Sequence, residues 1–125
     1  MPTMNHSEQY FNWARDVLET EANGLHEVAA SLNEDFVRAA GAVLACTGRI
    51  VVMGIGKSGH ISRKVAATLA STGTAAFFVH PAEAAHGDLG MIVDGDLVIA
   101  ISNSGESDEI AAIIPALKRK NITLV

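Results

Sequence analysis

A chain of 125 residues is long enough for one domain with one core and too short for two ordinary ones. With 49% hydrophobic and 18% charged residues its composition is globular, not disordered. A formal net charge of −5 argues against nucleic acid as a partner, the single cysteine Cys46 excludes an internal disulfide and fits a reducing compartment, and no run nears the roughly 20 apolar residues that span a bilayer, so a soluble cytoplasmic protein with no membrane partner is expected.

From Tyr10 to Leu32 the apolar residues fall at 10, 11, 14, 17, 18, 25, 28, 29 and 32, a helical stripe in which Phe11, Leu18, Leu25 and Leu32 recur every seven residues. Gly24 interrupts it at a cost of about 1 kcal/mol relative to alanine. The stripe carries more apolar surface than one sheet face needs, so packing against a second copy, in a homodimer or homotetramer, is expected. A second helix is predicted over "NEDFVRAAGAVLACTG", with Asn33 as N-cap, Glu34 and Asp35 in the first turn and Gly48 as C-cap. Cys46, at its apolar end, reads as a buried structural thiol.

The rhythm then changes. "RIVVMGI" (49–55), "AAFFVH" (75–80), "DLVIAIS" (96–102) and "ITLV" (122–125) are short, β-rich and apolar on both faces, as strands of a covered parallel sheet are. "SGHISRKVAATLASTG" and "SDEIAAIIPALKRKN" between them have helical period, and Lys118, Arg119 and Lys120 complement the negative end of the second. The fold class is therefore α/β: a three-layer αβα sandwich with a parallel, doubly wound sheet, preceded by two N-terminal helices. Residues 1–125 read as a single domain, with a helical segment over 1–48 and the sheet core over 49–125. The last strand has no helix after it, so a truncated domain is expected.

"GIGKSGH" (54–60) follows the first core strand, where ligands bind in open α/β sheets. A P-loop would need glycine at Val51, inside the strand, and that reading fails. A dinucleotide site would need an acid at the end of the next strand, roughly 20 residues past the glycines, to bond the ribose. That strand ends instead in His80-Pro81, with Glu83 the nearest acid and already past the proline. "SNSGES" (102–107) offers a better account. Ser102, Asn103, Ser104 and Ser107 crowd short polar side chains around one glycine at a helix start, more than a single N-cap requires. Hydroxyls and free backbone amides at a helix N-terminus make a neutral cradle for a phosphate monoester, and Ser58 can close it from the other side.

"GIGKSGH", "VHPAEAAHGDLGM" and "VIAISNSGESDEI" together resemble the sugar isomerase (SIS) domain, and specifically the arabinose-5-phosphate isomerase family, densely from Arg49 onward and more loosely before it. The resemblance implies interconversion of D-ribulose 5-phosphate and D-arabinose 5-phosphate, the first step toward Kdo and lipopolysaccharide, through a cis-enediol. It implies no cofactor and a small sugar phosphate as ligand. It assigns the phosphate to Ser58, Ser102, Asn103, Ser104 and Ser107, and catalytic roles to Lys57, His86 and Glu109. The family's further catalytic glutamate and histidine, and its paired CBS domains, have no counterpart in these residues.

The residues allow blander readings too. Glu109 is either the base that moves the proton or an acid favoured by the helix dipole, as Asp108 is. Lys57 polarises a sugar oxygen, pairs with phosphate, or is simply solvated. His86, oriented by Asp88, is placed to shuttle a hydroxyl proton, whereas His60 and His80 read as structural. The spacing of His80, His86 and Asp88 matches no zinc site, so no required metal is expected. A non-catalytic sugar-phosphate-binding regulatory SIS module is the alternative function, since a sensor needs only the serines.

Overall fold

The computed structural model describes residues 5–125. The chain divides into two compact units, one ending at Val37 and the other running from Arg38 to Val125. In the first, α1 (His6–Ser31) starts at Asn5, whose Oδ1 accepts the Ser7 amide at 3.3 Å, with Glu8 in the first turn. It buries none of its residues, and Phe11, Leu18 and Leu25 are all well exposed. The expected cap of the next helix is present: Asn33 Oδ1 accepts the Asp35 amide at 2.8 Å at the start of α2 (Glu34–Ala45).

The second unit holds a four-stranded parallel sheet of β1 (Ile50–Gly54), β2 (Ala76–Phe78), β3 (Leu97–Ile101) and β4 (Thr123–Leu124), in the order β2-β1-β3-β4. Ile50 pairs with Ala76 on one side and Leu97 on the other, and Leu97 with Thr123. α3 (Gly56–Ser71) joins β1 to β2, and α5 (Asp108–Lys118) joins β3 to β4. Between β2 and β3 run a short α4 (Pro81–Ala85) and a 3-10 turn (Asp88–Met91).

Because side chains alternate along a strand, β1 feeds two cores. Val51 and Met53 pack with Val98, Ala84 of α4 and Ile113 and Leu117 of α5. Ile50 and Val52 pack with Leu97, Ala66 of α3, Ala42 and Val43 near the end of α2, and Cys46 just after it. The three layers expected from the doubly apolar strands are therefore present. Burying a valine, leucine or isoleucine side chain contributes roughly 1.5–3 kcal/mol, so these two clusters dominate the stability of the unit.

Three local expectations need correction. Gly48 does not cap α2, which ends at Ala45. Its glycine is required because a Cβ there would collide with the Gly95 carbonyl. Cys46 is only partly buried, with Sγ 3.6 Å from the Gly95 oxygen. The strand expected over 75–80 stops at Phe78: the Val79 amide still donates to Val52 O at 3.0 Å, but His80 turns away to cap α4, its Nδ1 accepting the Ala82 amide at 3.1 Å.

At the amino end of the sheet, opposite the loops that carry the polar motifs, Asp96 is buried at 2% exposure. Its Oδ1 accepts the Arg49 amide at 2.9 Å and its Oδ2 the Val93 amide at 3.0 Å. Burial pushes the Asp96 carboxyl up, but the Val93 and Arg49 amides and the Arg49 guanidinium more than offset it, leaving its pKa below the ordinary 3.8. Arg49 also donates to Met91 O at 2.6 Å and lies over the Phe77 ring, 4.7 Å from its centroid, so one side chain ties β1, β2 and the 3-10 turn together.

Candidate active site

The strand order reverses between β1 and β3, and the loops leaving those two strands face each other across the gap. The glycines of "GIGKSGH" set the first loop. Gly56 turns the chain with φ +59°, a conformation only glycine adopts at little cost. A Cβ on Gly54 would come 2.7 Å from Ser62 Oγ and 2.8 Å from Ser58 O, and one on Gly59 2.7 Å from Gly54 O. Gly54 and Gly59 thus let the first turn of α3 lie directly on the end of β1. Ser62, fully buried, donates to Ser58 O at 2.7 Å and fastens that turn. Ile55, at the N-cap, has no side-chain acceptor to offer, so the first-turn amides of α3 face the gap without a side-chain cap.

In the second loop the serines do two things at once. Ser102 Oγ accepts the Gly105 amide at 3.0 Å, and Ser104 Oγ accepts the Glu106 amide at 3.1 Å. Ser107 is the N-cap of α5, its Oγ accepting the Ile110 amide at 3.4 Å and donating to Glu109 Oε2 at 3.4 Å. The oxygens of Ser102 and Ser104 therefore shape the loop, while their hydroxyl protons are left to donate to an anion. Gly105, at φ +70°, makes the turn between them.

Ser58, Ser102, Asn103, Ser104 and Ser107 line a single cleft of about 290 Å³, together with Ile55, Ile101, Ile110 and Glu109. All five expected phosphate residues are thus brought together, from two loops far apart in sequence. The expected catalytic residues are not. Glu109 lines this cleft, whereas His86 lines a separate hollow of about 400 Å³ between α4 and the first turn of α5, with Pro81, Ala82, Ala85, Asp108, Glu109 and Ala112. Among the described residues, Glu109 is the one shared by the two spaces. Lys57 is exposed in the first turn of α3 and lines neither. His86 is exposed at the end of α4, which packs on α5.

Sequence reasoning missed the apolar part of the lining. Ile55, Ile101 and Ile110 were legible only as core positions, and Ile101 ends a strand whose burial falls off toward the cleft. The hollow was missed because α4 has only five residues, too few to show a period. Its one signal was His80 before Pro81, a capping side chain followed by proline at the first helical position.

The cleft residues carry a family signature. The description "SIS domain" matches residues 43–125. Arabinose 5-phosphate isomerase KdsD of Salmonella typhi is 61% identical over 111 residues, covering 89% of this chain and 34% of the relative. The protein of that name from Pseudomonas aeruginosa is 48% identical over 122 residues, covering 98% of this chain and 37% of the relative. The chain thus spans about a third of the length of the curated relatives it matches. Among solved structures, an E. coli CFT073 protein in complex with arabinose 5-phosphate superposes with a TM-score of 0.89 at 45% identity, over 97% of this chain and 64% of that one. A Listeria monocytogenes structure assigned to a sugar-phosphate isomerase gives 0.87 at 32% identity, over 98% of this chain and 64% of that one.

Proposed function

The chain belongs to the SIS-domain family, and on that premise we propose that it is the sugar-phosphate-binding part of an aldose–ketose isomerase interconverting D-ribulose 5-phosphate and D-arabinose 5-phosphate. The observation that carries this reading is the cleft, where four serines, one asparagine and one carboxylate from two loops meet at the strand-order reversal. The names of the relatives and the arabinose 5-phosphate complex of the E. coli protein support the choice of substrate.

In this reading the phosphate sits on the hydroxyls of Ser58, Ser102, Ser104 and, once its proton turns from Glu109, Ser107, together with the Asn103 amide and the first-turn amides of α3. Among the described residues no cation lines the cleft, so the anion is held by dipoles and hydroxyl donors. The sugar then runs past Glu109. The Glu109 carboxylate takes the proton from C2 of the aldose and returns it to C1. The bonding pair passes through a cis-enediol as the C1 carbonyl becomes a hydroxyl. His86 carries the proton between the two oxygens, and Lys57 steadies the charge that develops on one of them. The same proposal places the step at the start of Kdo and lipopolysaccharide synthesis, in the cytoplasm, and in a homodimer or homotetramer whose contact uses the exposed stripe of α1. Light scattering showing a strict monomer would remove the last clause.

A non-catalytic sugar-phosphate module is a second reading, favoured by one observation: of the three candidate catalytic side chains only Glu109 lines the serine cleft. Calorimetric titration with arabinose 5-phosphate and with arabinose tests the shared part. Binding of the phosphate ester alone is expected, and equal binding of the free sugar overturns it. Incorporation of solvent deuterium at C1 or C2 of the bound sugar then separates isomerase from sensor.

A further inference from the structure

The two spaces that share Glu109 are unlike in charge, and the difference bears on which phosphates the site accepts. The serine cleft presents hydroxyls, an amide and the uncapped N-terminus of α3, all favourable to an anion. The hollow beyond Glu109 is walled by Asp108 and Glu109 on the first turn of α5 and by Pro81, Ala82, Ala85 and His86 from α4, with Ala112 completing it. Its other walls are apolar apart from His86, and among the described residues neither Lys nor Arg lines it. On the proposed reading, in which the sugar runs past Glu109 toward the hollow that His86 lines, a charge at the far end of the ligand meets two carboxylates with no lysine or arginine in the lining to neutralise it.

We infer that Asp108 is a specificity-determining residue, which with Glu109 restricts the site to phosphomonoesters whose far end is uncharged and rejects sugar bisphosphates. The inference rests on the sugar-phosphate reading of the cleft and adds a rule for the other end of the ligand. Asp108 itself is exposed at the first position of α5, where it also suits the helix dipole. Helix stability explains an acid there. It does not require that the acid also line the hollow, and the hollow gives the carboxylate a second effect. Like charges brought together across a binding surface act chiefly by excluding the wrong partner, which is the effect assigned here.

The test compares ribulose 5-phosphate with ribulose 1,5-bisphosphate in calorimetric titrations at low salt, for the unaltered chain and for Asp108→Asn. The unaltered chain should bind the bisphosphate at least about tenfold more weakly. Asp108→Asn should keep the monophosphate affinity within about twofold and narrow the gap by about threefold or more, and added salt should narrow it in the unaltered chain as screening takes hold. Equal affinity for the two ligands overturns the inference. So does a gap that Asp108→Asn and salt leave untouched, since the bisphosphate is then refused by size. If ribulose 5-phosphate itself does not bind, the sugar-phosphate reading fails and this one with it, a result distinct from either of the others.

Discussion

The carboxylate of Asp96 accepts the main-chain amide of Arg49 at 2.9 Å while its other oxygen stands 3.3 Å from the guanidinium of the same residue. One side chain thus closes the ladder where β1 and β3 begin, and it is ionised to do so. Its folded pKa lies below 3.8, so the stability it contributes is fully present above that value and is lost as pH falls through the lower folded pKa. Urea unfolding followed from pH 6 down to pH 2 should show a loss of stability below about pH 4 that Asp96→Asn lacks. Because removing the carboxylate leaves two partly buried amides without their acceptor, Asp96→Ala should cost about 2 kcal/mol at pH 7. An unchanged urea midpoint for Asp96→Ala contradicts the assignment.

Gly54→Ala forces a methyl group against Ser62 Oγ and the Ser58 carbonyl. A loss of roughly 1–3 kcal/mol is expected, together with weaker sugar-phosphate binding as the first turn of α3 is pushed off β1. Adding Ser62→Ala should not rescue the variant, because the Ser58 obstacle is main chain. Full rescue in the double variant would place the strain on the hydroxyl alone.

Ser104→Ala removes a hydroxyl that both shapes the loop and faces the cleft. Affinity for arabinose 5-phosphate should drop about tenfold, with thermal stability nearly unchanged because the loop is exposed. Undiminished affinity in calorimetry would remove Ser104 from the phosphate site.

Glu109→Gln keeps the shape of the cleft wall and removes the carboxylate proposed as the base. In the longer enzyme of which this chain matches a part, kcat should fall by roughly 100- to 10,000-fold while KM changes little. Near-normal kcat would strip Glu109 of its role.

NAD should not bind at micromolar concentration. The second strand stops at Phe78, two residues before His80, whose Nδ1 accepts the Ala82 amide, and among the described residues no acid ends that strand to hold a ribose. A micromolar titration endpoint would restore the dinucleotide reading.

How far the residues announced all this varied with the kind of interaction. The strands were legible because Ile50 to Met53 and Leu97 to Ile99 must be apolar on both faces to sit between two helical layers. The serine cluster was legible because three hydroxyls near one helix start exceed what a single cap uses. In the structure Ser107 caps, and Ser102 and Ser104 hold the turn. What stayed hidden depends on tertiary closeness. Nothing in the letters around Gly48 says that Gly95 lies against it, and nothing near Asp96 says that Arg49 and Val93 turn their amides inward. The separation of His86 from the serines was hidden for the same reason, since it follows from where α4 lands on α5.

Gly54 and Gly59 are pinned by the close approach of a strand to the helix that leaves it. The familiar triple-glycine spelling therefore records here how closely two pieces of main chain nest, whatever molecule lies above them. A search keyed to that spelling would group this chain with redox enzymes. A search keyed to the hydroxyl-rich loop across the gap would group it with its kin.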